Sequence, residues 1–120
     1  MGKLIRCLTR DATVMALFVD STDMVARAEQ IHQPSAVVTA ALGRLLTGAS
    51  MMGVMMKGEK DVLTLQMKGT GPLRGNTVTA DSFGNVKGYV DNPDAMLPPN
   101  AAGKLDVGGA IGVGVLNVIK

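Results

Sequence analysis

PSAVVTAALGRLLTGASMMGVMMK, from Pro34 to Lys57, is apolar or small on nearly every side at helical spacing, with Arg44 the only charge before the closing Lys57. A helix that is apolar all round is a buried helix. At 1.5 Å per residue it would run roughly 35 Å, about the width of a small domain, so neighbouring segments must cover it from more than one side. The segments flanking it read as strands, so the cover is expected from sheets. Pro34 and Ser35 suit the first turn and cap of such a helix, and Lys57 and Gly58 suit its negative end and a left-handed stop. Gly43, Gly48 and Gly53 inside it each cost up to about 1 kcal/mol relative to alanine. Because they step round the helix by about 140° each, they thin it at several points and do not mark one interface. Met51, Met52, Met55 and Met56 form a soft end, read as filler for irregular core space in preference to an exposed methionine-rich binding surface.

The apolar run from Leu45 to Met56 is about 12 residues, short of the roughly 20 that span a bilayer, and Arg44 would lie in mid-span. No membrane segment is expected. MGKLIRCLTR at the N-terminus has charges but no apolar core and no small-residue cleavage site. Gly2 is followed by Lys3, and Cys7 stands where a myristoylation motif wants Ser or Thr. The expected location is the cytoplasm.

One hundred and twenty residues make one domain, and 47% hydrophobic with 18% charged residues place it among globular chains. Phe18, Phe83 and Tyr89 are the only aromatics, and the net charge of +2 comes from interspersed acids and bases. Neither a base-stacking platform nor a basic footprint is available, so nucleic acid is not an expected partner. Cys7 and His32 are the only residues of their kinds. A disulfide, a thiolate metal site and a multi-histidine zinc cluster within the chain are excluded by count. Cys7 reads as a small buried or half-buried hydrophobe in a strand, and His32 as a plain surface residue at a helix end.

In chain order, Leu4 to Thr9 and Ala12 to Val19 read as a hairpin with a tight turn at Arg10 and Asp11. VMALFV, apolar on both faces, suits a central, doubly covered strand. Thr22 to Gln33 is a short amphipathic helix with Ser21 or Thr22 as cap and Met24, Ala28 and Ile31 inward. Beyond the long helix, Val62 to Lys68 alternates, sending Leu63, Leu65 and Met67 to one face and Thr64, Gln66 and Lys68 to the other. Leu73 to Ala80 and Val86 to Val90 follow across turns at Gly69 to Pro72 and Asp81 to Asn85, making an antiparallel meander. From Asp91 the chain is irregular until a final strand, Gly112 to Ile119. The fold expected is α/β of the α+β type, a layered β/α/β arrangement in which sheets cover a long buried central helix.

The sequence carries no catalytic or phosphate-binding motif at the required spacing. Gly109, Gly112 and Gly114 run in the order GxxGxG, without the Rossmann order, a P-loop lysine or a following helix, so a closely packed strand is the better reading. Asp81, Asp91, Asp94 and Asp106 sit beside Gly, Asn and Pro, where turn chemistry accounts for them, and an enzyme is not expected.

Laid out in this way, the segments resemble the N-terminal domain of the heat shock protein 33 family of redox-regulated bacterial holdase chaperones. The likeness is carried by FVDST at Phe18 to Thr22, by HQPSAVVTAALGRLLTGASMMGVMMKG, by GTGPLRGNTVTADSFGNVKGYVDNP at Gly69 to Pro93 and by LDVGGAIGVGVLNVIK. It covers essentially the whole chain. The resemblance implies binding of unfolding proteins under oxidative stress without chemistry on them. In that family the switch is a separate C-terminal domain whose four cysteines bind zinc; with one cysteine and no CxC or CxxC, this chain is not expected to hold zinc or any cofactor.

The chain therefore reads as one domain, residues 1–120, an incomplete chaperone domain without its switch. Leu63, Leu65, Met67, Val86, Tyr89, Val113 and Val115 are the candidates for a client-binding or dimer surface. A final strand with an open edge is a template for pairing. A homo-oligomer is expected, with Gly112 to Ile119 or the hairpin Leu4 to Val19 at the contact. The alternative is a structural or oligomerisation module that binds no client of its own.

Overall fold

A computed structural model describes residues 3–120, so the reading of Gly2 lies outside the described residues. The long helix forms as α2, Ala36–Gly53. Ser35 caps it, its Oγ accepting from the Val38 N–H at 3.4 Å and donating to the Ala95 carbonyl. The Ser35 N–H also donates to the Pro93 carbonyl at 2.8 Å, so the start of the helix is tied to the proline-bearing stretch after the meander. The helix stops at Gly53 and does not reach Lys57. After it the Met55 N–H turns back to the Met52 carbonyl and the Met56 N–H to the Gly53 carbonyl, the tightened turn by which a helix commonly ends. Gly58 is not the cap; its N–H donates to Asp61 Oδ2 in a separate turn.

Four strands supply the main cover: β1, Val62–Gly69; β2, Gly75–Asp81; β3, Val86–Val90; and β4, Gly114–Ile119. They make one antiparallel sheet in the order β3-β2-β1-β4. The expected meander is its first three strands. The second strand starts at Gly75 and not at Leu73, because Arg74 takes a positive φ of 68° and turns the chain, leaving Leu73 1% exposed in the core as a turn residue. The sheet packs α2 through two clusters. Leu42, Leu46 and Ala49 meet Leu63, Leu65, Val78 and Ala80, while Val37, Val38 and Ala41 meet Leu73, Ala95, Val107 and Ala110.

Only half of α2 is buried. By length and composition it would pass as a membrane span, but its apolar stripe is the one laid on the sheet. Its opposite side meets helix α1, Thr22–His32, along a shallow groove that Arg44 and Gly48 also line. Val25 of α1 approaches at Gly43, where an added Cβ would fall 2.9 Å from its Cγ1. Met24 and Ala28 reach the core as expected, but Ile31 is 59% exposed.

The opening hairpin differs most from its expectation. Its strands, Lys3–Leu8 and Met15–Asp20, pair only with each other in a two-stranded sheet. The second is not a covered central strand: Met15 and Phe18 are exposed, as is Cys7 across from Ala16. The hairpin lies at the C-terminal end of α2, where the Arg6 guanidinium donates to the Val54 carbonyl at 2.9 Å. Its turn is also wider than expected. The Thr9 N–H bonds the Val14 carbonyl, Ala12 takes φ 60°, and Asp11 Oδ1 accepts from the hydroxyls of Thr9 and Thr13 and from the Thr13 N–H.

Three turn carboxylates share a pH consequence. Hydrogen bonds from Thr9 and Thr13 hold Asp11 below the ordinary carboxylate value, and those from Thr22 do the same for Asp20. At Asp81 desolvation pushes upward, but donation from Asn85 and Phe83 outweighs it and the net direction is down. A carboxylate lowered in the folded state contributes stability above its unfolded pKa of about 3.9, and that stability is lost as pH falls through the folded value. The melting temperature is expected to hold from pH 7 to about pH 4 and to fall below it, with a shallower acid limb in Asp81→Asn. An acid limb of unchanged slope in that variant would remove Asp81 from the account.

A short helix, α3, Val107–Ile111, stands in the stretch expected to be irregular. Two glycines weaken it locally, but Asp106 Oδ1 accepts from the Gly109 N–H at 2.9 Å. The turn after β1 also clamps it, with the Gly71 N–H on the Ile111 carbonyl and the Leu73 N–H on the Ala110 carbonyl. Gly112, at φ 72°, then delivers the chain into β4.

Candidate functional site

In an antiparallel pair, residues directly opposite each other share a face. The register Leu65↔Val118 and Met67↔Leu116 therefore puts Leu116 and Val118 on the helix side of the sheet, with the core residues Leu65 and Val78. Yet Leu116 and Val118 are 48% and 51% exposed, whereas Leu65 is 2% exposed. The reason is placement. Helix α2 packs over β2, β3 and β1, and β4 lies at the sheet edge beyond it.

Between α2, strands β1 and β2 and helix α3 lies a cavity of about 380 Å³ lined by Ala41, Arg44, Leu45, Met67, Asn76 and Ile111 among others. Its walls are mostly apolar, with two polar exceptions. Asn76, only 2% exposed, has a buried Oδ1 with no hydrogen-bond partner among the described residues. Arg44 makes no ion pair or hydrogen bond among the described residues, although it shares a neighbouring concavity with Lys104 and Asp106. Asp106 is engaged in capping α3.

The seven residues expected to form one surface do not come together. Leu63 and Leu65 are core, 4% and 2% exposed against α2, and are withdrawn from any surface. Met67 is half-buried in the cavity wall, and Val86 is half-buried beside α1. Tyr89, opposite Thr77, is exposed on the far face of the sheet. Val113 precedes the edge strand and Val115 lies on that strand's far face; both are exposed. Leu116 and Val118 were missed because recognising them needs the β1–β4 register, and Leu45 and Arg44 because the side of α2 that the sheet takes is not a local property of the sequence.

Two of the four acids weighed for catalysis have local structural roles. Asp81 accepts from Phe83 and Asn85, and Asp106 caps α3. Among the described residues no three His, Cys, Asp or Glu side chains gather as a metal-binding group.

The profile of the family described as Hsp33 protein matches residues 2–120. The chain belongs to the Hsp33 protein family. It is 56% identical over 117 residues to a 33 kDa chaperonin of Agathobacter rectalis, covering 98% of this chain and 41% of that protein. It is 55% identical to the 33 kDa chaperonin of Lachnoclostridium phytofermentans, covering 98% of this chain and 40% of the other. The crystal structure of the 33 kDa chaperonin from Thermotoga maritima superposes with a TM-score of 0.90 at 38% identity, over 96% of this chain and 39% of that one. The chain thus spans about two-fifths of the length of these Hsp33 relatives, and the mixed α/β fold with two antiparallel sheets is common to it and the solved Hsp33 structure.

Proposed function

We propose that this chain is a chaperone domain of the redox-regulated holdase type, which binds unfolding proteins in the cytoplasm and does no chemistry on them. The observation that carries this reading is the match to the Hsp33 family over residues 2–120, with relatives named 33 kDa chaperonin; Leu116 and Val118, on the helix side of β4, are exposed apolar residues. Exposed apolar area beyond the few hundred Å² usual on a monomer is what a holdase needs. The redox switch is not part of the proposal for this chain. The donors present do not fit a zinc site, since Cys7 stands exposed in the hairpin, His32 on α1, and no third ligand gathers with them among the described residues. Association of two copies through the open edge of β4, or through the hairpin, belongs to the same proposal.

The test is light scattering of a heat-denatured client with the purified chain added, in reducing and oxidising buffer, with and without a chelator. Suppression of aggregation is expected in all four conditions alike. Suppression in none would favour the structural-module alternative, and suppression lost to chelator or confined to oxidising buffer would contradict the expectation that this chain carries no switch.

A further inference from the structure

Helix α1 has a stripe of surface that the core only half absorbs. Met24, Arg27, Ala28, Ile31 and His32 recur at i, i+3, i+4, i+7 and i+8, so they share one face of the helix. Met24 and Ala28 reach the core, while Ile31 stands beyond them, 59% exposed. Opposite this stripe runs β3, the strand at the far edge of the sheet from β4, and α1, α2 and β3 together bound a cavity of about 300 Å³. Leu46, 2% exposed, Val86, Lys87 and Gly88 complete its lining. We propose that this cavity binds a small amphipathic anion, an aliphatic chain that ends in a carboxylate. The chain lies against Met24, Ala28, Ile31, Leu46 and Val86, and Arg27 and Lys87 hold the carboxylate.

The charges select the head group. Arg27, His32 and Lys87 belong to the lining and no acidic residue does. None of the three side chains makes a hydrogen bond or ion pair among the described residues. Cations without a counter-charge attract an anion and reject another cation. The guanidinium of Arg27 is built to take a carboxylate through two parallel N–H donors, and Lys87 adds a point charge from the edge strand. His32 closes the helix, where the carbonyl end of the dipole disfavours negative charge, so the carboxylate belongs more than one turn earlier, at Arg27. The rest of the lining is apolar and suits a hydrocarbon tail. Volume sets the size of the guest, since about 300 Å³ is the lower end of the range for small-molecule pockets. Every lining residue lies between Met24 and Gly88, so neither β4 nor the proline-bearing stretch before α3 shapes the cavity.

The probe is octanoate, titrated calorimetrically into the full chain at fixed ionic strength. Octanol and octyltrimethylammonium keep the tail and change the head, while hexanoate and acetate keep the head and shorten the tail. Octanoate is expected to saturate one site per chain and to bind about tenfold more tightly than octanol, with octyltrimethylammonium not bound. Hexanoate, shorter by two methylenes, is expected to bind about tenfold more weakly than octanoate, and acetate not at all. Arg27→Glu is expected to abolish octanoate binding and Arg27→Lys to weaken it. Lys60→Glu makes the same change in net charge at an exposed turn outside the lining and is expected to leave binding as it was. Arg27 and Lys60 are both exposed, so the variants are expected to fold, which circular dichroism and melting establish. In two-dimensional NMR spectra octanoate should shift the methyl signals of Met24, Ile31 and Val86 and leave those of Val115 in place. Equal binding of octanoate and octanol, equal loss in Arg27→Glu and Lys60→Glu, or shifts outside the lining overturns the proposal. Attachment to phosphatidylglycerol vesicles with no binding of free octanoate would assign these charges to a lipid surface, and it overturns the proposal as well.

Discussion

Replacing Leu42 by aspartate is expected to leave the chain largely unfolded at room temperature. Leu42 is 1% exposed at the centre of the larger cluster, packed with Leu65 and Val78 beneath α2. An ionised carboxylate there has no partner and little water, and such burial costs about 4 kcal/mol or more, much of the roughly 5–15 kcal/mol that holds a domain folded. The check is a urea titration followed by circular dichroism, with Leu45→Asp beside it. Leu45 stands three residues on but only half-buried in the cavity wall, so its aspartate keeps water and is expected to cost about 1–2 kcal/mol. Similar urea midpoints for the two variants would mean that α2 is rotated from the orientation described.

That pair of leucines marks how far the sequence could be read. The apolar stretch from Pro34 announces a core helix, and the alternation from Val62 announces a sheet with one wet face. Both follow from periodicities that are local properties of the chain. Which side of α2 the sheet takes is not local. A helix apolar nearly all round carries little phase information, so Leu42 and Leu45 read alike until β1 and β2 are placed against one of them. The hairpin forms, but its second strand is not the covered central strand expected, for a related reason. Apolar residues on both faces of Met15–Asp20 describe a doubly covered strand and an uncovered sticky one equally well, and here Met15 and Phe18 are exposed. Cys7, expected as a small buried or half-buried hydrophobe, is exposed with it. At the site, Leu63 and Leu65 were assigned to a surface because alternation shows which residues share a face but not whether that face is covered. The helix-side residues Leu116 and Val118 acquire meaning only through their pairing with Met67 and Leu65 across strands distant in sequence.

Changing Gly53, the last residue of α2, to alanine is expected to lower the melting temperature by about 10 °C, equivalent to about 2–3 kcal/mol. On propensity alone the substitution should help, since alanine is preferred to glycine in a helix by about 1 kcal/mol. At this position, however, the added Cβ would run into the carbonyl oxygen of Asp81 and come within 3.1 Å of the Ala80 Cβ. The Asp81 carbonyl is not free to retreat. It accepts from the Gly84 N–H at 3.2 Å, its own residue's N–H is bound to the Asn85 carbonyl at 3.0 Å, and the Asp81 carboxylate accepts from Phe83 and Asn85. The same turn is held to α2 by the Ser50 hydroxyl, which donates to the Gly84 carbonyl at 2.8 Å. Relief of the clash therefore loosens the β2–β3 turn and the end of the helix together. Gly48 is the internal control, one turn and a half earlier on the same helix. A Cβ there meets nothing within 4 Å, so Gly48→Ala keeps the propensity gain and is expected to raise stability by about 1 kcal/mol. Thermal melts of the two single variants, read against the parent chain, should move in opposite directions; a Gly53→Ala protein as stable as Gly48→Ala would show that the helix end does not rest on the Asp81 backbone.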